Sequence, residues 1–358
     1  MSLFKYPQTT QVRHYTAPCQ SHMVHKRFNI VVAGGNSFNA TWFSELSDVE
    51  LFNPFWRPYV CEKSKNLPIK LDKAISGNVE NQPVVCGGLK SQSNYNSGQE
   101  KKVVSDCYTL KNFTWHNSKS SLRCPRWGAS SVMLNNREMW VLGGNPDSTS
   151  SKECVGTATS SEVWNTKNEK FEFSALLPEP MVYHCTVKID ADHIFVVNGY
   201  DWSHRGVSHA YVVDISTRPF TFSKLPSLRK SRSQAACGII TYSSTMDNQT
   251  NLAIAVAGGG FNETSTTTEI YRLTKSTSRT YNTQNIWEPG PILPRGFVNG
   301  CQINSEVNQF ILIGGFDEFG NVKSDLLHYD INSETFETLP ATLNIPRYGC
   351  TSFQIENN

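Results

Sequence analysis

The chain has 358 residues, of which 38% are hydrophobic and 18% are charged, a composition typical of a globular protein. The formal net charge of +2 gives no electrostatic reason to expect nucleic acid as a partner. The longest apolar run, 252–257, is far too short to span a bilayer, so no membrane insertion is expected.

Two features of the sequence point to different compartments. Residues 1–15 lack the apolar core of a signal peptide, which favours the cytoplasm. The ten cysteines are an even number and more than an average cytosolic chain carries, which favours disulfides and an oxidising compartment. We expect a secreted, extracellular protein, with a cytoplasmic protein as the alternative.

Six short apolar runs along the chain end in a pair of small residues. The pair consists of two glycines in five of the runs and is Asn198-Gly199 in the fourth. The pairs begin 53 to 60 residues apart, at positions 34, 87, 143, 198, 258 and 314. Six copies at a nearly constant period indicate a repeat architecture, in which each repeat is one supersecondary unit.

Each repeat contains four runs of β type, which we name A to D in chain order. The glycine pair ends run B, and run A precedes it at 74–79, 129–134, 185–189, 236–241, 300–303 and 350–355. Run C follows a loop of variable length, at 48–52, 104–108, 161–164, 210–214, 269–273 and 326–330. Run D surrounds Trp56, Trp115, Phe171, Phe220, Trp287 and Phe336. Such runs, divided by Gly, Pro, Asn and Asp, indicate short strands joined by tight turns.

Four such runs, with a glycine pair at the end of the second, resemble the kelch repeat over residues 28–356. The resemblance implies an all-β fold, a six-bladed kelch-type β-propeller with four antiparallel strands per blade around a central channel. Three segments resemble most closely the invertebrate secreted kelch-type proteins. They are Cys61, Cys86-Gly87-Gly88 and Cys107-Tyr108.

We expect one propeller domain over residues 28–358, preceded by an N-terminal extension at 1–27. The first blade has a B run but no certain A run before it. We expect the C-terminal run, 350–355, to close the ring as that missing strand, because closure removes two sheet edges. The pattern at 347–352, which matches 126–131, supports this closure. The alternative closing strand is 19–24.

Nine of the ten cysteines fall into three groups. Cys86 and Cys107 lie on adjacent B and C runs of one blade, so a disulfide between them is geometrically possible. Cys61, Cys124 and Cys154 receive no partner from the sequence. Four others occupy similar places in A runs, and we interpret them as small apolar residues packed between blades rather than as a metal site. These four are Cys185, Cys237, Cys301 and Cys350.

No motif in the sequence points to catalysis or to a cofactor. The histidines are scattered, and no metal-binding pair, carboxylate pair or nucleophile elbow has the required spacing. A relative of this fold, the copper radical oxidase, needs two histidines, two tyrosines and a Tyr–Cys crosslink, and those positions cannot be matched here. We therefore expect no enzyme activity, no metal and no cofactor.

A partner is expected on the face where the B–C loops and the D–A segments emerge, because strand direction alternates and loops sort by face. That face is rich in Arg and aromatic residues, which are enriched in interface hot spots. For Arg126 and Arg347 a competing interpretation is structural, since an Arg before run A can pack on the neighbouring blade and hydrogen-bond its loop. The candidate binding residues are Tyr200, Trp202, Arg205, Arg126, Trp127, Tyr183, Arg232, Arg295, Phe316, Arg347 and Tyr348.

The sequence thus favours a monomeric, non-enzymatic module that binds a protein partner through this face. Two alternatives remain open at this point. An intracellular adaptor, such as a substrate receptor for a ubiquitin ligase, usually carries a dimerisation domain before the propeller, and residues 1–27 are too few for one. A galactose-oxidase-like, carbohydrate-active protein would release peroxide from sugars or alcohols in a copper-dependent reaction.

Overall fold

The computed structural model describes residues 29–39, 42–53, 62–63, 65–91, 101–112, 114–146, 154, 156–165, 167, 169–200, 206–243, 250–260, 265–273, 286–304 and 310–355. Six antiparallel sheets of four strands form a ring, which confirms the predicted six-bladed β-propeller. A short 3-10 helix covers Thr157–Thr159. In the described part of the chain, no helix has the length and hydropathy needed to cross a membrane.

Each blade runs from an inner strand A at the channel to an outer strand D. Blade 1 contains β28 (Thr351–Ile355), β1 (Asn29–Ala33), β4 (Val49–Phe52) and β5 (Glu62–Lys63). Blade 2 contains β6 (Ile75–Val79), β7 (Gln82–Cys86), β10 (Cys107–Lys111) and β11 (Thr114–Asn117). Blade 3 contains β12 (Ser130–Asn135), β13 (Glu138–Leu142), β14 (Ser161–Asn165) and β15 (Lys170–Phe173).

The other three blades follow the same order. Blade 4 contains β16 (Cys185–Lys188), β17 (His193–Tyr200), β18 (Gly206–Asp214) and β19 (Thr221–Leu225). Blade 5 contains β20 (Ala236–Ser243), β21 (Thr250–Ala257), β22 (Thr268–Leu273) and β23 (Glu288–Pro289). Blade 6 contains β24 (Cys301–Ile303), β25 (Ile311–Ile313), β26 (Asp325–Asp330) and β27 (Thr335–Thr342). Two B–C loops form small hairpins, β2 (Asn36–Asn39) with β3 (Trp42–Glu45) and β8 (Leu89–Ser91) with β9 (Lys101–Val103).

The C-terminal strand closes the ring, as the sequence predicts. β28 pairs with β1, and Phe353 lies opposite Val31. The inner strands contact one another in an unbroken cycle from β28 through β6, β12, β16, β20 and β24 back to β28. The predicted outer run around Trp56 lies outside the described residues, and the fourth strand of blade 1 is β5.

The core consists of six apolar clusters, one between each pair of neighbouring blades. The B strands are apolar at nearly every position because successive side chains point to opposite faces and both faces are covered. In β1, Val31 and Ala33 pack against blade 2, whereas Ile30 and Val32 pack against blade 6. Burial of each such side chain stabilises the ring by about 1.5–3 kcal/mol.

Polar side chains on the inner strands tie the wall of the channel together. The Ser76 hydroxyl donates to the Ser352 carbonyl, and the Ser131 hydroxyl donates to the Ser76 carbonyl. The same step repeats from Thr186 to Ser131 and from Ser352 to Gln302. Each of these bonds runs from one blade to the blade before it, so the hydroxyls link neighbouring sheets that share no strand.

Within the described ranges, four cysteine pairs lie at disulfide spacing. The predicted pair is confirmed, since Cys86 and Cys107 lie opposite each other on β7 and β10 with Cα atoms 4.1 Å apart. Cys124 pairs with Cys154, with a Cα–Cα distance of 5.5 Å. Cys61 lies outside the described residues. Disulfides therefore cross-link the strands of blade 2 and tie the B–C loop of blade 3 to the segment that enters that blade.

The interpretation of the four inner-strand cysteines as unpaired apolar residues is wrong. Cys185 pairs with Cys237 and Cys301 with Cys350, at Cα–Cα distances of 6.0 and 5.4 Å. Cys185 and Cys301 lie opposite the residue that immediately precedes the glycine-pair position of strand B, Val197 or Ile313. Cys237 lies one residue later and Cys350 one residue earlier in that register. This stagger lets the side chains meet across the gap between neighbouring blades.

The Cys301–Cys350 pair joins the last blade to the closing strand, so we expect it to contribute more than its local packing. The double substitution Cys301→Ala/Cys350→Ala should lower the free energy of unfolding by about 4 kcal/mol, from loop closure over a separation of 49 residues. Denaturant unfolding measures this change. The matched control is Cys86→Ala/Cys107→Ala, which removes a disulfide within one blade and should cost about 3 kcal/mol.

The two double variants should also differ in how they open. Loss of the Cys301–Cys350 pair should expose β28 to limited proteolysis before the rest of the chain, because β28 is the strand that returns from blade 6 to pair with β1 and close the ring. The control should show no such early cleavage. If β28 resists the protease equally in both variants, the Cys301–Cys350 pair does not hold the closing strand in place.

Candidate functional site

A closed ring of backbone hydrogen bonds surrounds one mouth of the channel, where the D–A segments enter the inner strands. Each residue donates its N–H to the carbonyl of its neighbour in the preceding blade, at 2.6–3.3 Å, and the Lys73 N–H completes the circle at the Gly349 carbonyl. All six have left-handed backbones with φ between 56° and 63°. This mouth ring consists of Lys73, Gly128, Tyr183, Gln234, Asn299 and Gly349.

The left-handed conformation turns each N–H and C=O of the mouth ring towards its neighbours rather than along the strand. For an L-residue this conformation costs about 1–2 kcal/mol, and four of the six positions are not glycine. A backbone hydrogen bond contributes about 0.5–1.5 kcal/mol net, which only offsets that cost. The packing between blades therefore holds the mouth ring in place.

The glycine pairs carry a second circle of bonds outside the mouth ring. The second member of each pair donates its N–H to a carbonyl in the D–A segment that enters the next blade, as Gly35 does to Leu71 at 2.7 Å. In the five blades where the first member is glycine, a side chain there would clash with a neighbouring backbone carbonyl. A Cβ on Gly258 would lie 2.2 Å from the Phe297 carbonyl oxygen, and its φ is +69°.

Three of the predicted binding arginines are buried beneath this face. Arg126, Arg232 and Arg347 are each at most 1% exposed. Each donates to the carbonyl of the first glycine of its own blade and to a glutamate on strand C, as Arg126 does to Gly143 at 2.6 Å and to Glu162 at 2.5 Å. Arg232 and Arg347 repeat this pattern with Glu269 and Glu50.

These arginines brace alternate blades, since the equivalent position in the other three holds an apolar side chain. Burial lowers the pKa of each guanidinium, and its glutamate opposes that effect. The competing structural interpretation of Arg126 and Arg347 is close to what is seen, although both bond their own blade. Arg295 lies two residues earlier in its segment and holds Asp325 and the Gly314 carbonyl. That these four arginines contact a partner stays a prediction.

Two groups of half-buried aromatic residues do reach the surface of this face. In blades 3 and 4, Trp127 and Tyr183 meet edge to face at 5.5 Å between ring centroids, and Tyr183 and Tyr200 at 6.0 Å. Across the boundary of blades 6 and 1, Phe316 and Tyr348 lie 4.3 Å apart. Trp202 and Arg205, the other candidates in the loop of blade 4, lie outside the described residues.

Backbone bridges confirm that the B–C loops and the D–A segments share this face. Trp127 pairs with Asn145, Val182 with Tyr200, and Phe316 with Val298. In blade 4 the strand continues through the place of the glycine pair as far as Tyr200, with a β-bulge before Gly199. In blade 4, where Asn198-Gly199 replaces the glycine pair, strand B therefore continues beyond the pair instead of ending at it.

Asp72 is the most buried charged residue at the mouth. Its carboxylate is 0% exposed, and Oδ2 lies 3.5 Å from the Lys101 ammonium and 3.9 Å from that of Lys73. Lys101 also binds Glu45, at 3.0 Å. Among the residues that the structure describes, no donor reaches Asp72 Oδ1. The sequence analysis does not identify this group, because two adjacent charged residues in a D–A segment have no distinctive pattern.

The charges of this cluster shift one another. Burial raises the pKa of Asp72, and Lys73 and Lys101 oppose the shift. Burial lowers the pKa of Lys73, and Asp72 opposes that shift. For Tyr348, burial and then the carboxylates of Asp72 and Glu45 raise the pKa to about 12. The mouth therefore carries a charge-balanced cluster of two carboxylates and two lysines beside aromatic rings.

Phe319 is the second functional candidate that the sequence analysis does not single out. It stands at the tip of the B–C loop of blade 6 and is 81% exposed. Gly320, which follows it with φ +81°, marks a turn. A phenylalanine beside glycine in a loop is a weak signal, because the sequence does not show whether the ring packs on the protein or faces solvent.

His184 follows Tyr183 into the inner strand and is 5% exposed. Its Nε2 lies 2.7 Å from the Ser130 hydroxyl, and no described group hydrogen-bonds Nδ1. Burial, and then the charge of Arg126, lowers its pKa to about 3. The imidazole is thus neutral at physiological pH and serves the packing of blades 3 and 4.

The opposite face carries a polar cleft of about 420 Å³ between blades 2 and 3. Its charged groups include Lys111, Lys119 and Glu169, which are exposed to solvent. Exposed charges of this kind contribute about 0–1 kcal/mol each, so the cleft offers a ligand little. Among the described residues, no three His, Cys, Asp or Glu side chains come together as metal ligands.

A solved propeller shares this architecture. The structure titled "Structure of YjhT" aligns with 86% of this chain and 97% of its own, with a TM-score of 0.60 and 12% sequence identity. At that identity the likeness shows the fold alone. No protein-family model and no curated protein matches the chain.

The burial of His184 predicts a loss of stability in mild acid. Its pKa is about 3 in the folded protein and about 6.5 when unfolded, so only the unfolded chain takes up a proton between those values. The free energy of unfolding should therefore fall by about 1.4 kcal/mol for each pH unit below about 6.5, from this residue.

Comparison with His184→Gln isolates the effect, because the carboxylates of the two proteins titrate alike. Denaturant unfolding of both between about pH 7 and about pH 4 should show the difference between them shrinking as the pH falls. Parallel pH profiles would show that His184 does not remain neutral in the folded protein.

Proposed function

We propose that this protein is a non-enzymatic interaction module, and that it binds a protein partner through the face that carries its B–C loops and D–A segments. A propeller is commonly a binding scaffold, and loops on a rigid scaffold are where such folds carry their function. The four runs per blade and the glycine pairs support a kelch-type propeller, by the resemblance described above.

The presentation of Phe319 is the observation that carries this proposal. An aromatic ring that is 81% exposed gains nothing from the fold, because it remains in water. Aromatic residues, Phe among them, are enriched in protein interfaces. Of the large hydrophobic residues found exposed in the described ranges, Phe319 is the most exposed.

The loop below Phe319 is fixed by a single carboxylate. Asp317 Oδ1 accepts the N–H groups of Phe319 and Asn321, at 3.0 and 2.8 Å, and Oδ2 accepts the Asn321 side-chain amide. Burial alone raises the pKa of Asp317, but these hydrogen bonds outweigh it and lower the pKa. A loop held in this way loses little conformational entropy on binding, so an aromatic anchor on it binds more tightly.

The surroundings of Phe319 are suited to a protein interface. Phe316, at the base of the same loop, packs against Tyr348 of the next D–A segment, with the two rings tilted by 38°. The Glu318 side chain accepts the Gly296 N–H at 2.7 Å, which ties the loop to the segment that enters blade 6. The anchor thus stands on a rigid rim of two blades, and we propose a monomeric propeller that contacts its partner there.

We also propose that the protein works outside the cell. The four cysteine pairs support this, because disulfides persist in oxidising compartments. Mass spectrometry of the natural protein without reductant is the check. Full alkylation of Cys301 and Cys350 under those conditions would contradict an extracellular location.

Removal of the anchor should abolish most of the binding. We expect Phe319→Ser to weaken the affinity for the natural partner about 30-fold, which corresponds to a hot spot of about 2 kcal/mol. The partner is first identified by cross-linking and affinity capture with the wild-type protein. Surface plasmon resonance then measures the dissociation constant of each variant.

The matched control is Ile331→Ser, in the C–D turn of the same blade on the opposite face. This residue is apolar and 38% exposed, and its replacement should leave the affinity unchanged. A second variant, Tyr200→Ala/Trp202→Ala/Arg205→Ala, tests the loop of blade 4 and should also weaken binding. Equal affinities for the wild type and the Phe319 variant, or a loss confined to the Ile331 variant, would contradict the proposed face.

A further inference from the structure

The mouth of the channel contains an acceptor that the protein itself does not use. Asp72 is fully buried, yet no donor among the described residues reaches its Oδ1. A buried carboxylate oxygen without a donor is costly, and such groups in native proteins require an explanation. The other oxygen of this carboxylate interacts with Lys101 and Lys73, and the Asn36 side chain also hydrogen-bonds the carboxylate.

The free oxygen lies over the backbone of the mouth ring. A Cβ built on Gly349 would lie 2.2 Å from Asp72 Oδ1, so a side chain at position 349 would occupy the place of this oxygen. Gly349 has φ +61° and belongs to the ring itself. The absence of a side chain at this position leaves room for Oδ1, which lies buried against the Gly349 backbone beneath the mouth.

Aromatic rings stand beside the same carboxylate, and a cation already lies between them. The Lys73 ammonium is 4.8 Å from the centroid of the Trp127 ring and 5.2 Å from that of Tyr183. A cation at such distances is attracted by the negative face of the rings. We name Asp72, Trp127 and Tyr183 the mouth cage.

The Lys73 ammonium occupies the mouth cage but does not fill all of its contacts. Its side chain is 19% exposed, so the ammonium lies at the boundary with solvent. At 3.9 Å from Asp72 Oδ2 it is beyond hydrogen-bond distance, and it does not reach Oδ1. The backbone of Lys73 is fixed in the mouth ring, but its four-carbon side chain can rotate towards solvent without breaking a ring bond.

We propose that the mouth cage is a receptor for one cationic side chain of the protein partner, an ammonium or a guanidinium, which displaces Lys73 and donates to Asp72 Oδ1. The inference rests on the proposed function, because it assumes a protein partner on this face. It identifies the chemistry of that partner: a lysine or an arginine at the centre of its contact surface. Phe319 then anchors the rim while the cation fills the mouth.

A resident cation weakens the binding of the incoming one, and this gives the proposal a distinctive test. The probe is a five-residue peptide with one central lysine between glycines, and the control peptide carries norleucine in its place. We expect weak binding of the lysine peptide to the wild type and at least tenfold tighter binding to Lys73→Met, which keeps the stem but lacks the charge. The norleucine peptide should not bind to either protein.

The carboxylate provides the reverse test. Lys73→Met/Asp72→Asn keeps the shape of the cage but removes its charge, and we expect it to lose the affinity gained by Lys73→Met. Isothermal titration calorimetry measures all three proteins. Equal affinities of Lys73→Met and the wild type, equal affinities of the two peptides, or no loss with Asp72→Asn would overturn the proposal.

A measurement on the wild-type protein avoids dependence on the folding of these variants. The ε-methylene protons of Lys73 lie near two aromatic rings, so their NMR signals should be shifted upfield. Saturating lysine peptide should move them to the position of a solvated lysine, whereas the norleucine peptide should leave them in place. Unchanged signals at saturation would overturn the displacement. The Phe319 variant tests the rim independently, so failure of the cage and failure of the binding face give different results.

Discussion

Six backbone amides that donate to six carbonyls in a closed circle determine where every D–A segment lies in this protein. Strain and hydrogen bonding nearly cancel in the mouth ring, so the six apolar clusters between the blades supply the free energy that maintains it. The mouth ring and the second circle of glycine amides link each blade to the next through backbone hydrogen bonds.

Because backbone atoms form the mouth ring, the side chains at its six positions can differ between blades, and the proposed binding face makes use of those side chains. Blades 2 to 4 place Lys73, Trp127 and Tyr183 around the carboxylate of Asp72. Blades 6 and 1 instead place Phe319 on a rigid rim. Most of the arginines that the sequence suggests for this face lie beneath it, where they hold the glycine carbonyls and the C strands.

Much of the fold is predictable from the sequence, because glycine pairs recur at a regular period and strand B is apolar on both faces. The closing strand is predictable for the same reason. The disulfides between Cys185 and Cys237 and between Cys301 and Cys350 are not, because they depend on a one-residue stagger between neighbouring blades. The mouth cage cannot be predicted from the sequence either, because its residues come from different blades and none belongs to a motif.

Hydrogen exchange of the six mouth-ring amides tests the central claim most directly. These amides lie in segments between strands, where loop amides ordinarily exchange fast. The closed circle predicts that the amides of Lys73, Gly128, Tyr183, Gln234, Asn299 and Gly349 exchange together and as slowly as those of β13. Exchange of these six at the rate of open loops, while β13 stays protected, would contradict the claim that the mouth ring positions the blades and the binding face.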